Sequence, residues 1–251
     1  MWPCGHVAAR EEVMPPMFTP LSRRRGRILY LKHGLTEADA LWGFEDFTIT
    51  RGEDGLRVLQ AHAELETEEG HVCRDVVQSS HSDAHPHDAY VRLMVNRVFA
   101  GAGLFRFTDT EAECMSWTTA DGRISELRDN ERPLRGFGTH AVQADAWLVS
   151  RYPFAEGPGT RRYAGNLLYS IHHLGADGPR FQTTTSSLSY IGEETITVRA
   201  GTFDCHRIAF GDFSNGHPAY ELWITRDPDH VFVKGVVGGY LGSDFELVEL
   251  A

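Results

Sequence analysis

From Ile28 onward the chain consists of short runs rich in β-branched and aromatic residues, separated by clusters of Gly, Asp, Asn and Pro at hairpin spacing. Apolar and polar positions alternate within many of these runs, the period of a strand that buries one face. The pattern predicts strands over residues 44–50, 56–65, 71–78, 90–99, 104–108, 113–119 and 123–128 in the first half. In the second half it predicts them over 162–174, 180–190, 194–199, 203–210, 220–225, 231–237 and 245–250. The steps Asp54-Gly55, Glu69-Gly70, Gly101-Ala102-Gly103 and Asp121-Gly122 read as turns, because glycine accepts positive φ without steric cost. Evidence for helix is thin. Residues 36–41 suit a single helical turn, and 140–148 suit either helix or strand; neither carries a sustained apolar stripe of helical period.

About a dozen strands with hairpin-scale turns predict an all-β protein. Twist makes so many strands close or curl, so the expected fold is a large antiparallel barrel or curled half-barrel with a concave face and few or no helices. The segment 1–25, with Pro3, Pro15, Pro16 and Pro20 and no periodicity, reads as an extended arm. The remainder, 26–251, reads as a single barrel domain. Its best internal seam, Glu156-Gly157-Pro158-Gly159, also fits a loop within one barrel.

Charge narrows the partners. The 251 residues hold 35 acids against 24 bases, a net charge of −11. That balance argues against nucleic acid, whose phosphates need a basic surface, and against an anionic membrane. No apolar run approaches a membrane span of about 18 residues. The first residues lack the basic start and apolar core of a signal peptide, so the expected location is the cytoplasm. Cys4, Cys73, Cys114 and Cys205 are scattered and form no C-x-x-C pair, the usage of reduced thiols rather than of a disulfide framework.

At Tyr190-Ile191-Gly192-Glu193-Glu194-Thr195-Ile196, and on through Ala200-Gly201-Thr202-Phe203 to Ile208, the chain resembles an uncharacterised family of bacterial β-rich proteins with lipocalin-like or lipoprotein-carrier-like half-barrels. The strand at Tyr220-Glu221-Leu222-Trp223 continues the likeness, which covers the last quarter of the chain. The resemblance implies a concave apolar face and assigns no catalytic residue.

Candidate chemistry rests on thirteen histidines and the aromatic residues. In the loop 81–87, His85 and His87 form a His-x-His pair that turns both rings one way on extended backbone. This makes the loop a candidate divalent-metal site, although a polar loop is the commoner meaning of such a segment. His140 and Asp145 supply imidazole and carboxylate for proton transfer. They face different ways on a strand or a helical turn, so a joint site needs a bend between them. His172 and Tyr169 lie in the predicted strand 162–174 and are further catalytic candidates. Arg92 and Asn96 share one strand face and reach a ligand if that face lines a lumen; the other meaning of the face is solvent. Trp42, Phe107, Trp117, Trp147, Tyr190, Trp223 and Tyr240 are core by default, with Trp117, Trp147, Tyr190 and Trp223 as the ligand-contact candidates.

The favoured reading is an intracellular barrel that encloses a small hydrophobic or aromatic molecule and performs cofactor-independent acid–base chemistry, as a lyase, isomerase or dehydratase. In that reading His140 or His172 is the base and Arg92 or Tyr169 its electrostatic partner. The alternatives are a carrier of a lipid or aromatic metabolite without chemistry, a metal-dependent enzyme using the loop 81–87, and an assembly partner, with a homodimer as the candidate state.

Overall fold

The computed structural model describes residues 22–35, 40–68, 70–131, 133–239 and 242–251. Fifteen strands form one sheet. The first eight are β1 (Ser22–Lys32), β2 (Leu41–Arg51), β3 (Arg57–Thr67), β4 (Gly70–Ser80), β5 (Pro86–Val95), β6 (Val98–Phe107), β7 (Glu111–Thr118) and β8 (Gly122–Asp129), each antiparallel to the next. The short β9 (Phe137–Gly138) and one helix, α1 (Val142–Val149), come next. They lead into β10 (Gly159–Leu168), β11 (Gln182–Val198), β12 (Gly201–Gly211), β13 (Tyr220–Thr225), β14 (Phe232–Val237) and β15 (Ser243–Leu250). β9 lies parallel to β10, and the rest of this run is antiparallel. β1 pairs with β15 as well as β2, so the sheet's free edges are β8 and β9.

The inward parity of each strand follows from its apolar positions. Phe47 and Ile49 are buried on β2, Val72 and Val76 on β4, and Ala89, Val91 and Leu93 on β5. The same parity carries Glu45, Arg74 and Gln78 inward, and all three are buried. α1 fills the space the sheet encloses. Its sequence, Val-Gln-Ala-Asp-Ala-Trp-Leu-Val, buries six of its eight residues. A helix enclosed on nearly every side needs no amphipathic stripe, which is why the helical period is missing from its sequence.

The sheet curls without closing, because β8 and β9 do not pair. Side chains bridge the seam instead. Phe105 and Phe107 of β6 meet Phe137 of β9 at ring distances of 4.7 and 4.9 Å, and Phe181 joins them. From β8, Arg128 donates to the Phe181 carbonyl at 3.0 Å, and Arg180 pairs with Asp121.

Several sequence expectations change here. The segment Gly101-Ala102-Gly103 is not a turn but the middle of β6. A Cβ on either glycine would lie 2.9 Å from Pro179, so these positions admit the close approach of the 175–181 segment. The true turn is Asn96-Arg97, both at positive φ as a two-residue hairpin loop requires. Residues 180–190 and 194–199 merge into the 17-residue β11, which bends at a bulge near Gly192 instead of turning. β10 ends at Leu168, so Tyr169 and His172 lie beyond it. Residues 22–25, assigned to the arm, open β1, and Leu41, the last residue of the helical turn expected over 36–41, opens β2; residues 1–21, 36–39 and Tyr240 lie outside the described residues. Cys114 and Cys205 are buried, Cys73 is half-buried, and all three are unpaired thiols.

Candidate functional site

The interior is organised around Glu45. α1 has Ala141 at its N-cap, which offers no side-chain acceptor to the first N–H groups. Glu45 supplies it from across the sheet: Oε2 accepts from the Val142 N–H at 2.7 Å and Oε1 from the Gln143 N–H at 2.9 Å. The Tyr30 hydroxyl donates to Oε2 at 2.9 Å. Burial raises the Glu45 pKa, and those N–H bonds oppose the rise. Three donors around one carboxyl, at a helix N-terminus, match its acceptor-only, ionised form.

Arg74 is the second interior charge, 3% exposed. Its Nη2 donates to the His140 carbonyl and its Nη1 to the Leu174 carbonyl at 2.9 Å. It thereby pins the irregular chain on both sides of β10. His140 takes a left-handed φ of 56°, the bend that lets it and Asp145 serve one site. Its Nε2 lies 2.8 Å from the Ser170 carbonyl, so Nε2 carries the proton. Burial, with Arg74 adding to it, pushes the His140 pKa down to about 3, so the ring is neutral.

Beside α1, walled by strands of both runs, lies a cavity of about 160 Å³. Trp42, Leu65, Leu148, Leu168, Phe210 and Phe245 supply apolar wall. Arg74, His140, Asp145, Arg151 and Tyr220 are among its polar residues, which also include His173, Asn215 and His217. Among the described residues no hydrogen bond holds the charge of Asp145; burial, with Glu45 adding to it, pushes its pKa up to about 8. Its carboxyl is therefore protonated at neutral pH. Five buried polar atoms of cavity residues have no hydrogen-bond partner: Trp42 Nε1, Arg74 Nε, Arg151 Nε, Arg151 Nη2 and Tyr220 Oη. Native interiors leave few such groups unsatisfied, and five of the ten among the described residues belong to residues of this one cavity, which makes it the candidate site.

Of the residues chosen from sequence, His140 and Asp145 meet at this cavity. Tyr169 lies behind it, fully buried, with its hydroxyl donated to the Gly175 carbonyl at 2.7 Å and its ring 5.2 Å from that of His140. His172 is not in the wall; the neighbouring His173 is. Arg92 corrects the lumen expectation: it stands on the outer face, 3.8 Å from Asp75, because Val91 and Leu93 hold the inward parity. Asn96 is in the β5–β6 turn, where its Oδ1 accepts from the His71 N–H. Trp117 is 59% exposed on the outer face of β7.

Trp147 is core: Nε1 donates to the Asp229 carbonyl at 3.0 Å and Arg57 lies over the ring. Tyr190 pairs with His206 at 3.0 Å, and Trp223 donates to Glu194 in a small separate cluster with Cys205 and Val233. None of these three lines the cavity. In the loop 81–87, the His81 ring stands 6.0 and 6.2 Å from those of His85 and His87, and His87 pairs with Asp88. Among the described residues no three His, Cys, Asp or Glu side chains are arranged to hold a metal.

The site residues that sequence reasoning missed are Glu45, Arg74, Arg151 and Tyr220. For Glu45 and Arg74 a signal existed: each is a charge at the inward parity of an otherwise apolar strand face. Arg151 and Tyr220 carry no comparable mark.

No family model and no curated protein matches the chain. Among solved structures it is similar to a β-barrel-like protein of domain of unknown function DUF1849 from Brucella abortus, at 9% identity and a TM-score of 0.55. That match covers 92% of this chain and 98% of the other, so the barrel-like likeness extends well beyond the last quarter. A DUF1089 family protein from Pseudomonas aeruginosa follows at 10% identity and a TM-score of 0.44, over 79% of this chain and 90% of that one. A Bacteroides fragilis protein with a YmcC-like fold matches at 8% identity and a TM-score of 0.31, over 93% and 98%. At these identities the first likeness concerns the fold alone. No helix among the described residues is long and apolar enough to cross a membrane.

Proposed function

We propose that the protein binds a small apolar or aromatic molecule in the cavity beside α1. The observation that carries this reading is the wall itself: a predominantly apolar surface on which several polar groups converge, the usual make-up of a small-molecule site. Its volume, about 160 Å³, is close to that of an engineered apolar cavity of roughly 150 Å³ that takes up benzene. Native mass spectrometry of the full chain tests the reading, with Leu148→Trp filling the cavity from α1. A small-molecule adduct present on the natural chain and absent from a folded Leu148→Trp supports it; an adduct equal on both chains defeats it.

Asp145 supports a second reading, proton transfer to or from the bound molecule. A carboxyl whose pKa lies near the working pH is suited to general acid–base work, whereas His140, near 3, is a weak base. Deuterium exchange at the carbon next to the carbonyl of bound acetophenone, followed by NMR, tests it. Equal exchange rates in the natural chain and Asp145→Asn would remove Asp145 from that role.

A further inference from the structure

We infer that the molecule held in the cavity carries a carboxylate, gripped by the Nε–Nη2 edge of Arg151. The inference rests on the binding reading above and adds the ligand's chemical class. Arg151 is held in place before any ligand arrives. Its Nη1 donates to the Arg135 carbonyl and to Asn166 Oδ1, both at 2.8 Å, and its guanidinium lies 4.0 Å from the centre of the Tyr163 ring. These contacts leave one edge without a hydrogen-bond partner: Nε and Nη2 have almost no accessible surface, so a ligand that grips them must displace the side chains that cover them.

The rest of the molecule shows what that edge takes. Arg27 sets Nε and Nη2 on the two oxygens of Asp46 at 2.6 and 2.7 Å. Arg207 sets the same pair on one oxygen of Glu221, Oε2, at 3.1 and 2.7 Å, and Arg199 sets it on one oxygen of Glu246, Oε2, at 3.1 and 3.0 Å. In all three the edge takes a carboxylate, and at Asp46 it does so in the planar two-point match of guanidinium with carboxylate. At Arg151 no carboxylate of the described residues occupies the edge, although burial makes an unpaired cation costly and lowers its pKa to about 10. Arg74 differs, since it shares the interior with the carboxylate of Glu45.

The other unpartnered atoms agree. Trp42 Nε1 and Arg74 Nε can only donate, and Tyr220 Oη retains its proton to donate. Asp145, protonated, adds a donor rather than a competing negative charge. The unpartnered polar atoms of these residues are donors, and with one unmatched cation they select an apolar body bearing an anionic acceptor.

Titration calorimetry with phenylacetate, phenylacetamide and ethylbenzene on the full chain tests this. Phenylacetate is expected to bind at least about tenfold more tightly than phenylacetamide. Both Arg151→Gln and Arg151→Lys are expected to cut that advantage to about twofold or less, since Lys keeps the charge and loses the fork. Because either variant could disturb the Asn166 contact, ethylbenzene binding reports whether the cavity persists. If the two neutral probes bind and phenylacetate gains nothing, the carboxylate is wrong while the binding reading stands. If Arg151→Lys binds phenylacetate as the natural chain does, the two-point grip is wrong. If none of the three probes binds, the cavity reading fails and takes this inference with it.

Discussion

The Glu45 carboxylate receives the backbone N–H of Val142 at 2.7 Å across 97 residues of sequence, so a strand of the first run caps the helix that precedes the second. Glu45→Ala leaves the two N–H groups and the Tyr30 hydroxyl without their acceptor. Stability to urea is expected to fall by about 3 kcal/mol or more, at roughly 1–3 kcal/mol per abandoned buried group. Glu45→Gln, which keeps one acceptor oxygen, is expected to lose less.

Asp145 makes the fold sensitive to rising pH. Its folded pKa of about 8 lies above the ordinary 3.8, so between those values the unfolded chain releases a proton that the folded chain retains. Stability therefore declines as pH rises through that window, by at most about 1.4 kcal/mol per unit from this group, and levels off above it. Denaturation midpoints measured across the window are expected to show Asp145→Asn gaining on the natural chain as pH rises. A constant gap would contradict this.

His140 works in the opposite direction. Its folded pKa of about 3 lies below the ordinary 6.5, so on acidification the unfolded chain takes up a proton first. The stability present above 6.5 is lost as pH falls toward 3. His230, pushed down to about 4 by burial, adds to the loss. His140→Asn suits the left-handed backbone. It is expected to flatten the acid limb of a melting-temperature profile, whatever its effect at neutral pH.

The seam gives a packing test. Gly103→Ala places a methyl group 2.9 Å from Pro179 and is expected to cost about 1–3 kcal/mol. Combining it with Pro179→Gly, which removes the Cβ the new methyl group would meet, should recover part of that loss. Strict additivity in the double-mutant cycle would show that the two residues do not meet.

Much of the strand pattern was legible because alternation, glycine and aspartate report local geometry directly. Gly101 and Gly103 misled for a physical reason: a glycine that admits a distant proline looks the same in sequence as one that permits a turn. Strand parity is readable at β5, where Val91 and Leu93 mark the inward face and leave Arg92 on the solvent side. Arg74 carried the same residue type at the inward parity between Val72 and Val76. His140 and Asp145 could be named because they are neighbours in sequence. Arg151 and Tyr220 become site residues only through the curl of the sheet, which no local spacing encodes.

The pairing of β1 with β15 has a kinetic consequence. Every other ladder joins strands consecutive in the chain, so β1–β8 and β9–β15 can each form as a meander from nearby segments. One long-range zipper must then unite them, and loop-closure entropy makes such a step slow. Substitutions in that ladder, such as Ile28→Ala, are expected to slow refolding in stopped-flow traces more than equally destabilising ones within either meander. Trp42 and Arg74 arrive with the first meander, and Asp145, Arg151 and Tyr220 with the second. Ligand uptake would thus report the zippering event itself: neither half-sheet holds a binding chamber until the two are joined.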